Sequence, residues 1–83
     1  MKFLYTNRAA KQLKDLPASI QKRIVEKMRF YAAQKDPLKF AKHLTDFREG
    51  KFCFRIGDYR LTFDVIKDAI YILKVAKRDK IYE

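Results

Sequence analysis

This chain is poor in several residue types, and each shortage removes a class of function. One cysteine among 83 residues excludes an internal disulfide and suits a reducing compartment. A single histidine, His43, beside that single cysteine makes no zinc site. Ser19 is the only serine, and it stands where a helix should start, as a cap. Two glycines leave no material for a Gly-rich phosphate loop. No apolar run approaches the ~20 residues of a membrane span. Met1-Lys2-Phe3-Leu4-Tyr5 is too short for a signal peptide and leads into polar sequence. The cytoplasm is therefore the expected location, with no cofactor, no metal and no membrane.

Acidic residues are also scarce: 10 Asp and Glu against 20 Lys and Arg, a net charge of +10. A basic surface of that strength fits a polyanionic partner, whether nucleic acid, acidic protein or anionic lipid, and charge alone does not choose among them. With 48% apolar residues the chain can fold, and residues 1–83 are expected to form one small domain with a modest core.

The stretch from Lys51 to Phe63 organises the rest. It alternates apolar and polar side chains, turns at Gly57-Asp58 and alternates again, the pattern of a β-hairpin. Gly in the first loop position suits a II′ turn. That loop sets Phe54 opposite Leu61, Cys53 opposite Thr62, Lys51 opposite Asp64 and Arg55 opposite Arg60. Two like charges held face to face cost roughly 0.2–1 kcal/mol. A sheet built for stability alone would avoid that pair, unless an anion sits between.

Before the hairpin, Lys2 to Tyr5 reads as a strand, and Thr6 or Asn7 can cap a helix carrying Ala9, Leu13 and Leu16 on its inner side. Pro17 breaks it. A second helix should run from Ala18 to Gln34 with Ile20, Ile24, Met28, Tyr31 and Ala32 as its apolar stripe. Leu38 to Gly50 reads as an irregular connection pinned by Phe40, Leu44 and Phe47. A third long strand covers Ile70 to Ala76, apolar on both faces as an interior strand would be. The expected fold is α+β, in the order βααβββ, with an antiparallel-type sheet and both helices on one face. The other face carries Arg55, Arg60 and Lys74. Arg78 joins them only if the last hairpin has an odd-length loop or a bulge, with Ala76 opposite Arg60 and Ile72 opposite Asp64. Such a face is either a solvated surface or a phosphate site. Guanidinium binds phosphate bidentately, and cleaving RNA needs no metal when the 2′-hydroxyl is the nucleophile.

The run Phe52-Cys53-Phe54-Arg55-Ile56-Gly57-Asp58-Tyr59-Arg60, the helix break at Leu16-Pro17, Leu44 before the hairpin, and the late Lys77-Arg78…Tyr82 together resemble the RelE/ParE family of type II toxins, small basic proteins made with an acidic antitoxin. The resemblance covers the whole chain. RelE-like members are ribosome-dependent ribonucleases that cut messenger RNA, and ParE-like members poison DNA gyrase. On that resemblance, Lys51, Arg60 and Arg78 would stabilise charge or move a proton, and Tyr82 would orient a nucleotide. Arg55, Lys74 and Lys77 would hold RNA. The implied partners are a cognate acidic antitoxin, the ribosome and mRNA. One departure stands out: Cys53 occupies a position usually filled by Lys or Arg in active members, where Lys is implicated as the base. The resemblance therefore leaves three functions: a ribonuclease, a non-enzymatic gyrase inhibitor, and an inactive member that only binds antitoxin.

Overall fold

A computed structural model describes residues 1–45 and 50–77. Strand β1 (Lys2–Tyr5) leads into helix α1 (Asn7–Lys14). Of the two possible caps, Thr6 serves: its hydroxyl accepts the Ala9 amide at 3.2 Å, so one free N–H of the first turn is satisfied. Helix α2 (Ala18–Ala33) starts differently. Pro17 takes the N-cap position with no side-chain bond, and Ser19 lies inside the first turn, so the expected serine cap is not made. As the second helical residue, Ser19 stands past the N-cap position from which a side chain accepts a first-turn amide. Gln21 instead ties the two helices together, donating to the carbonyls of Lys14 (3.1 Å) and Leu16 (2.7 Å) at the end of α1.

The connection after α2 has more order than its sequence suggests. A 3-10 turn spans Pro37–Phe40, and Lys42–His43 form a short strand, β2, at the sheet edge. Leu44 is buried as expected, whereas Phe40 stays 46% exposed, and Phe47 lies outside the described residues. Strands β3 (Phe52–Ile56), β4 (Tyr59–Ile66) and β5 (Ala69–Lys77) follow. The sheet order is β1-β5-β4-β3-β2. It is antiparallel except at one place: β1 runs parallel to β5, pairing Phe3 with Ile70 and Tyr5 with Ile72. The helices between β1 and the meander return the chain to the far edge, so the last strand lands beside the first. That makes β5 an interior strand, as its two apolar faces required.

The first hairpin has the expected register, with Phe54 opposite Leu61 and Arg55 opposite Arg60. Gly57 adopts φ +59 at the first loop position, and Asp58 stays at negative φ, the pattern of a II′ turn. A Cβ there would also approach the Arg23 guanidinium at 3.1 Å, so α2 braces the hairpin tip. The second hairpin is a regular two-residue loop, Lys67-Asp68, which by itself would put Val75 on the wrong face. A bulge corrects it. Up to Phe63 the pairing is regular, placing Ile72 opposite Phe63 and Tyr71, not Ile72, opposite Asp64. From Thr62 on, β5 has slipped by one residue, with Leu73 as the extra residue. Ala76 therefore stands opposite Arg60, as expected.

The core lies between the helices and one face of the sheet. Ala9, Ile24 and Met28 meet Phe54, Leu61, Phe63, Ile70 and Ile72, all fully buried. Burying each large side chain contributes roughly 1.5–3 kcal/mol. Stacked rings run through it, Tyr31 on Phe54 (centroids 4.4 Å) and Phe54 on Phe63 (4.5 Å). Beyond the end of β1, α1 covers the open edge of β5: Gln12 accepts the Val75 amide at 2.7 Å. Among the described residues no helix is long and apolar enough to cross a membrane.

Candidate nucleic-acid interface

The face turned away from the helices is built in rows, because opposed residues on neighbouring strands project to the same side. One row reads Lys42, Cys53, Thr62 and Lys74 across β2, β3, β4 and β5. The next reads Arg55, Arg60 and Ala76. Four basic residues thus occupy two adjacent rows around one thiol, on a scaffold of paired strands. Lys42 is the member that sequence reasoning missed. Its strand has only two residues, too short for alternation to show, and only its pairing with Cys53 places it here.

The face is not uniformly open. Arg55 and Lys42 are exposed, and Lys74 is half-buried. Arg60, Cys53 and Thr62 are 1%, 2% and 0% exposed. The sequence placed Arg55, Arg60 and Lys74 on the side of the sheet that the two helices leave uncovered, either as a solvated surface or as a phosphate site. Cys53 and Thr62 are short, and the Lys42 and Lys74 opposite them carry long stems, so the middle of the row lies below its ends. Arg60 belongs to β4, the middle strand, with neighbours on either side.

The electrostatics at Cys53 follow from that burial. Withdrawal from water pushes its thiol above its ordinary value, and this outweighs the opposing pull of Arg60, Arg55 and Lys42 and of a backbone hydrogen bond at Leu61. Its Sγ lies 3.4 Å from the Phe54 carbonyl, which can accept the S–H proton. The thiol is neutral at pH 7, so it is neither a thiolate nucleophile nor a proton acceptor.

The remaining sequence-selected residues divide three ways. Lys51 is exposed at the foot of β3, and its backbone amide donates to Asp64 Oδ1 at 2.8 Å. Gly50, just before it, takes φ +121 where a Cβ would meet the Phe63 carbonyl oxygen at 3.0 Å, a close strand approach that favours glycine. Lys77 pairs with Tyr59, which packs against the core, so Lys77 sits on the helix side of the sheet and apart from Arg55, Arg60 and Lys74. Arg78 and Tyr82 lie outside the described residues. Among the described residues, no three of His, Cys, Asp and Glu come together as a metal site.

The arrangement defines a small basic α+β domain with a cation-lined sheet face. Residues 3–82 match the family model described as the ParE toxin of type II toxin-antitoxin system, parDE, and the chain belongs to that RelE/ParE toxin family. Solved structures agree. The chain is similar to one in the RelBE2 toxin-antitoxin complex of Mycobacterium tuberculosis, at 30% identity and TM-score 0.77, covering 93% of this chain and 96% of that one. It is similar to one in the RelB-RelE antitoxin-toxin complex of Methanococcus jannaschii, at 28% identity and TM-score 0.66 over 95% and 94%. A chain of the E. coli RelBE complex shares the fold at 18% identity and TM-score 0.67, over 92% and 94%. No curated protein matches the sequence.

Proposed function

We propose that this toxin is held by an acidic antitoxin and, when released, cleaves messenger RNA on the ribosome, in the cytoplasm. The observation that carries the ribonuclease reading is Arg55 opposite Arg60, flanked by Lys42 and Lys74 one row away. Cations gathered on rigid strands suit a phosphate whose oxygens gain charge during reaction. In the proposed reaction the 2′-hydroxyl gives its proton to a base and attacks the adjacent phosphorus, and the 5′-oxygen leaves with a proton from an acid, giving a cyclic phosphate and a free 5′-hydroxyl. Arg55 and Lys42, both exposed, meet the backbone first. Arg78, by family resemblance, stabilises the pentavalent phosphorus, and Arg60, buried in the sheet, adds its charge from beneath. Lys51 moves a proton, and Tyr82 orients the nucleotide. Lys74 supports the phosphate from β5, and Lys77 contacts RNA outside this face. The antitoxin reading draws on the three solved neighbours, all toxin-antitoxin complexes, and on the +10 charge.

A second reading has its own observation. The neutral, buried Cys53 thiol stands where a base would act, and Arg60 is 1% exposed. Both favour a protein that inhibits DNA gyrase by binding, without cutting RNA. Incubation with programmed ribosomes and mRNA, mapped by primer extension, separates the two. Cleavage at discrete positions supports the ribonuclease. Inhibited supercoiling by gyrase with intact mRNA replaces it with the inhibitor.

A further inference from the structure

One carboxylate stands among the cations of the sheet. Asp64 is the only acidic residue in the described strands. Its neighbours Phe63 and Val65 pack on the core, so Asp64 projects from the face turned away from the helices. It is half-buried and within reach of a ligand, unlike the closed Arg60, Cys53 and Thr62. On the β3 side the Lys51 amide donates to its Oδ1 at 2.8 Å, and on the β5 side it stands opposite Tyr71. An ionised carboxylate accepts at about four sites, so one amide bond fixes the group and leaves it able to take a proton.

The proposed cleavage needs an acceptor for the 2′-hydroxyl proton, and few groups on this face can serve. Charged lysine and arginine offer hydrogen-bond donors only. Cys53 is buried and neutral, and Thr62 is 0% exposed. Asp64 has the right chemistry and the right place. It lies two residues beyond Thr62 on β4, about 6–7 Å along the strand, and Arg60 lies two residues before Thr62. The short Cys53 and Thr62 form the low middle of the face. A phosphate seated over them has exposed Arg55 on one side, and Asp64 with exposed Lys51 on the other.

We propose that Asp64 is the general base of the cleavage, its carboxylate taking the 2′-hydroxyl proton of the nucleotide whose phosphate lies over Cys53 and Thr62. The inference rests on the ribonuclease reading above and adds the residue that starts the reaction. The O2′–H bond breaks, its proton passes to Asp64, and its electron pair forms the O2′–P bond. The P–O5′ bond breaks, and its electron pair leaves on O5′, which takes a proton from the Lys51 ammonium. Water then carries the proton on Asp64 to the Lys51 amine, so the protein ends as it began. A neutral thiol at position 53 therefore does not leave the site without a base.

Asp64→Asn separates chemistry from structure, because its amide oxygen can still accept the Lys51 N–H but takes no proton at neutral pH. The experiment measures single-turnover cleavage of mRNA on programmed ribosomes, beside the Kd of a fluorescein-labelled oligoribonucleotide. Wild-type protein cleaves. Asp64→Asn cleaves roughly 10²–10⁴-fold more slowly. It binds the oligoribonucleotide at least as tightly as wild type, since a negative charge has left a basic face. Adding Cys53→Lys to Asp64→Asn places an amine in the neighbouring row and restores cleavage toward the rate of Cys53→Lys alone. Cleavage by Asp64→Asn at the wild-type rate overturns Asp64 as the base while the ribonuclease reading stands. Slow cleavage joined to weaker RNA binding, or left unrestored in the double variant while Cys53→Lys alone is active, assigns Asp64 a structural role and overturns the proposal. Absence of wild-type cleavage, with gyrase supercoiling inhibited, overturns the ribonuclease reading and this inference with it.

Discussion

Arg55 and Arg60 stand directly opposite each other across the β3–β4 hairpin, yet Arg55 is exposed and Arg60 is 1% exposed. The same cross-strand pair therefore holds one cation that meets solvent and one that is part of the sheet's interior. Their substitutions separate function from stability.

Arg55→Ala removes a like-charge opposition, so it stabilises the fold by roughly 0.2–1 kcal/mol while weakening RNA binding. Arg60→Ala removes a buried side chain from the middle strand and costs roughly 1–3 kcal/mol. On the proposed function it also lowers cleavage by on the order of 10²–10³. Thermal melts read beside ribosome-dependent cleavage decide the matter. An Arg55→Ala protein that melts lower and cleaves normally removes Arg55 from the site.

Cys53 gives a pH prediction with a definite sign. Its folded pKa is raised by burial, so its contribution to stability is complete below the unfolded thiol pKa of about 8.5 and is lost as pH climbs from there toward the folded value. Tyr5 and Tyr31 are raised by burial too, and they extend the loss to higher pH. Denaturant midpoints measured from pH 7 to 10.5 should fall, and Cys53→Ala should delay the onset of the fall. An onset unmoved by Cys53→Ala contradicts the buried neutral thiol. The same variant changes cleavage little, whereas Cys53→Lys places an amine among Arg55, Arg60 and Lys42, where burial and like charges lower its pKa and suit it to take a proton. Cleavage should rise and the melting temperature should drop.

Much of this fold was legible in the residues. Gly57-Asp58 determines the hairpin register, and that register alone puts Arg55 against Arg60. Helical spacing marked Ile24, Met28 and Tyr31 as core. Three features were not legible, each for a physical reason. The β1–β5 pairing joins segments more than sixty residues apart, and alternation within a strand says nothing about which distant strand it meets. The strand holding Lys42 is two residues long, and period-2 alternation needs more. The closure around Arg60 and Thr62 depends on neighbouring side chains in space, and a polar residue on a strand reads as exposed whether or not it is. The same limit hid Phe40, whose apolar character suggested a core anchor and whose ring stays at the surface.

Gln12 illustrates a stabilising contact with no sequence signal. β1 ends at Tyr5, and beyond that point, among the described residues, no strand pairs with the outer edge of β5. The Gln12 side chain supplies the acceptor for the Val75 amide, at 2.7 Å. Gln12→Ala leaves a partly buried donor unsatisfied and costs roughly 1–3 kcal/mol. Gln12→Glu retains an acceptor and costs less. Native-state exchange should show the Val75 amide losing protection in the Ala variant before its neighbours opposite β4 do. Equal protection in wild type and Gln12→Ala removes this contact from the account.

The bulge at Leu73 allows Lys74 to be tested in the basic face at constant backbone length. A two-residue loop at Lys67-Asp68 starts the ladder in one register, and Leu73 shifts it so that Lys74 opposes Thr62 and Val75 opposes Leu61. Deleting Leu73 joins Ile72 directly to Lys74, which then falls opposite Thr62 in an unbroken ladder. The phase of Val75, Ala76 and everything after them is kept. Deleting Lys74 instead gives the same backbone length and the same regular ladder, with Leu73 opposite Thr62. Both deletions should fold, each losing roughly 1–2 kcal/mol of packing or twist. They differ only in whether a cation or an apolar side chain completes the row Lys42, Cys53, Thr62. On the proposed function, the Leu73 deletion retains most of the RNA affinity and the Lys74 deletion loses it. Cross-strand nuclear Overhauser contacts from Thr62 establish the register in each. Equal RNA affinity of two folded deletion variants would remove Lys74 from the interface and leave Arg55, Arg60 and Lys42 to account for phosphate binding alone.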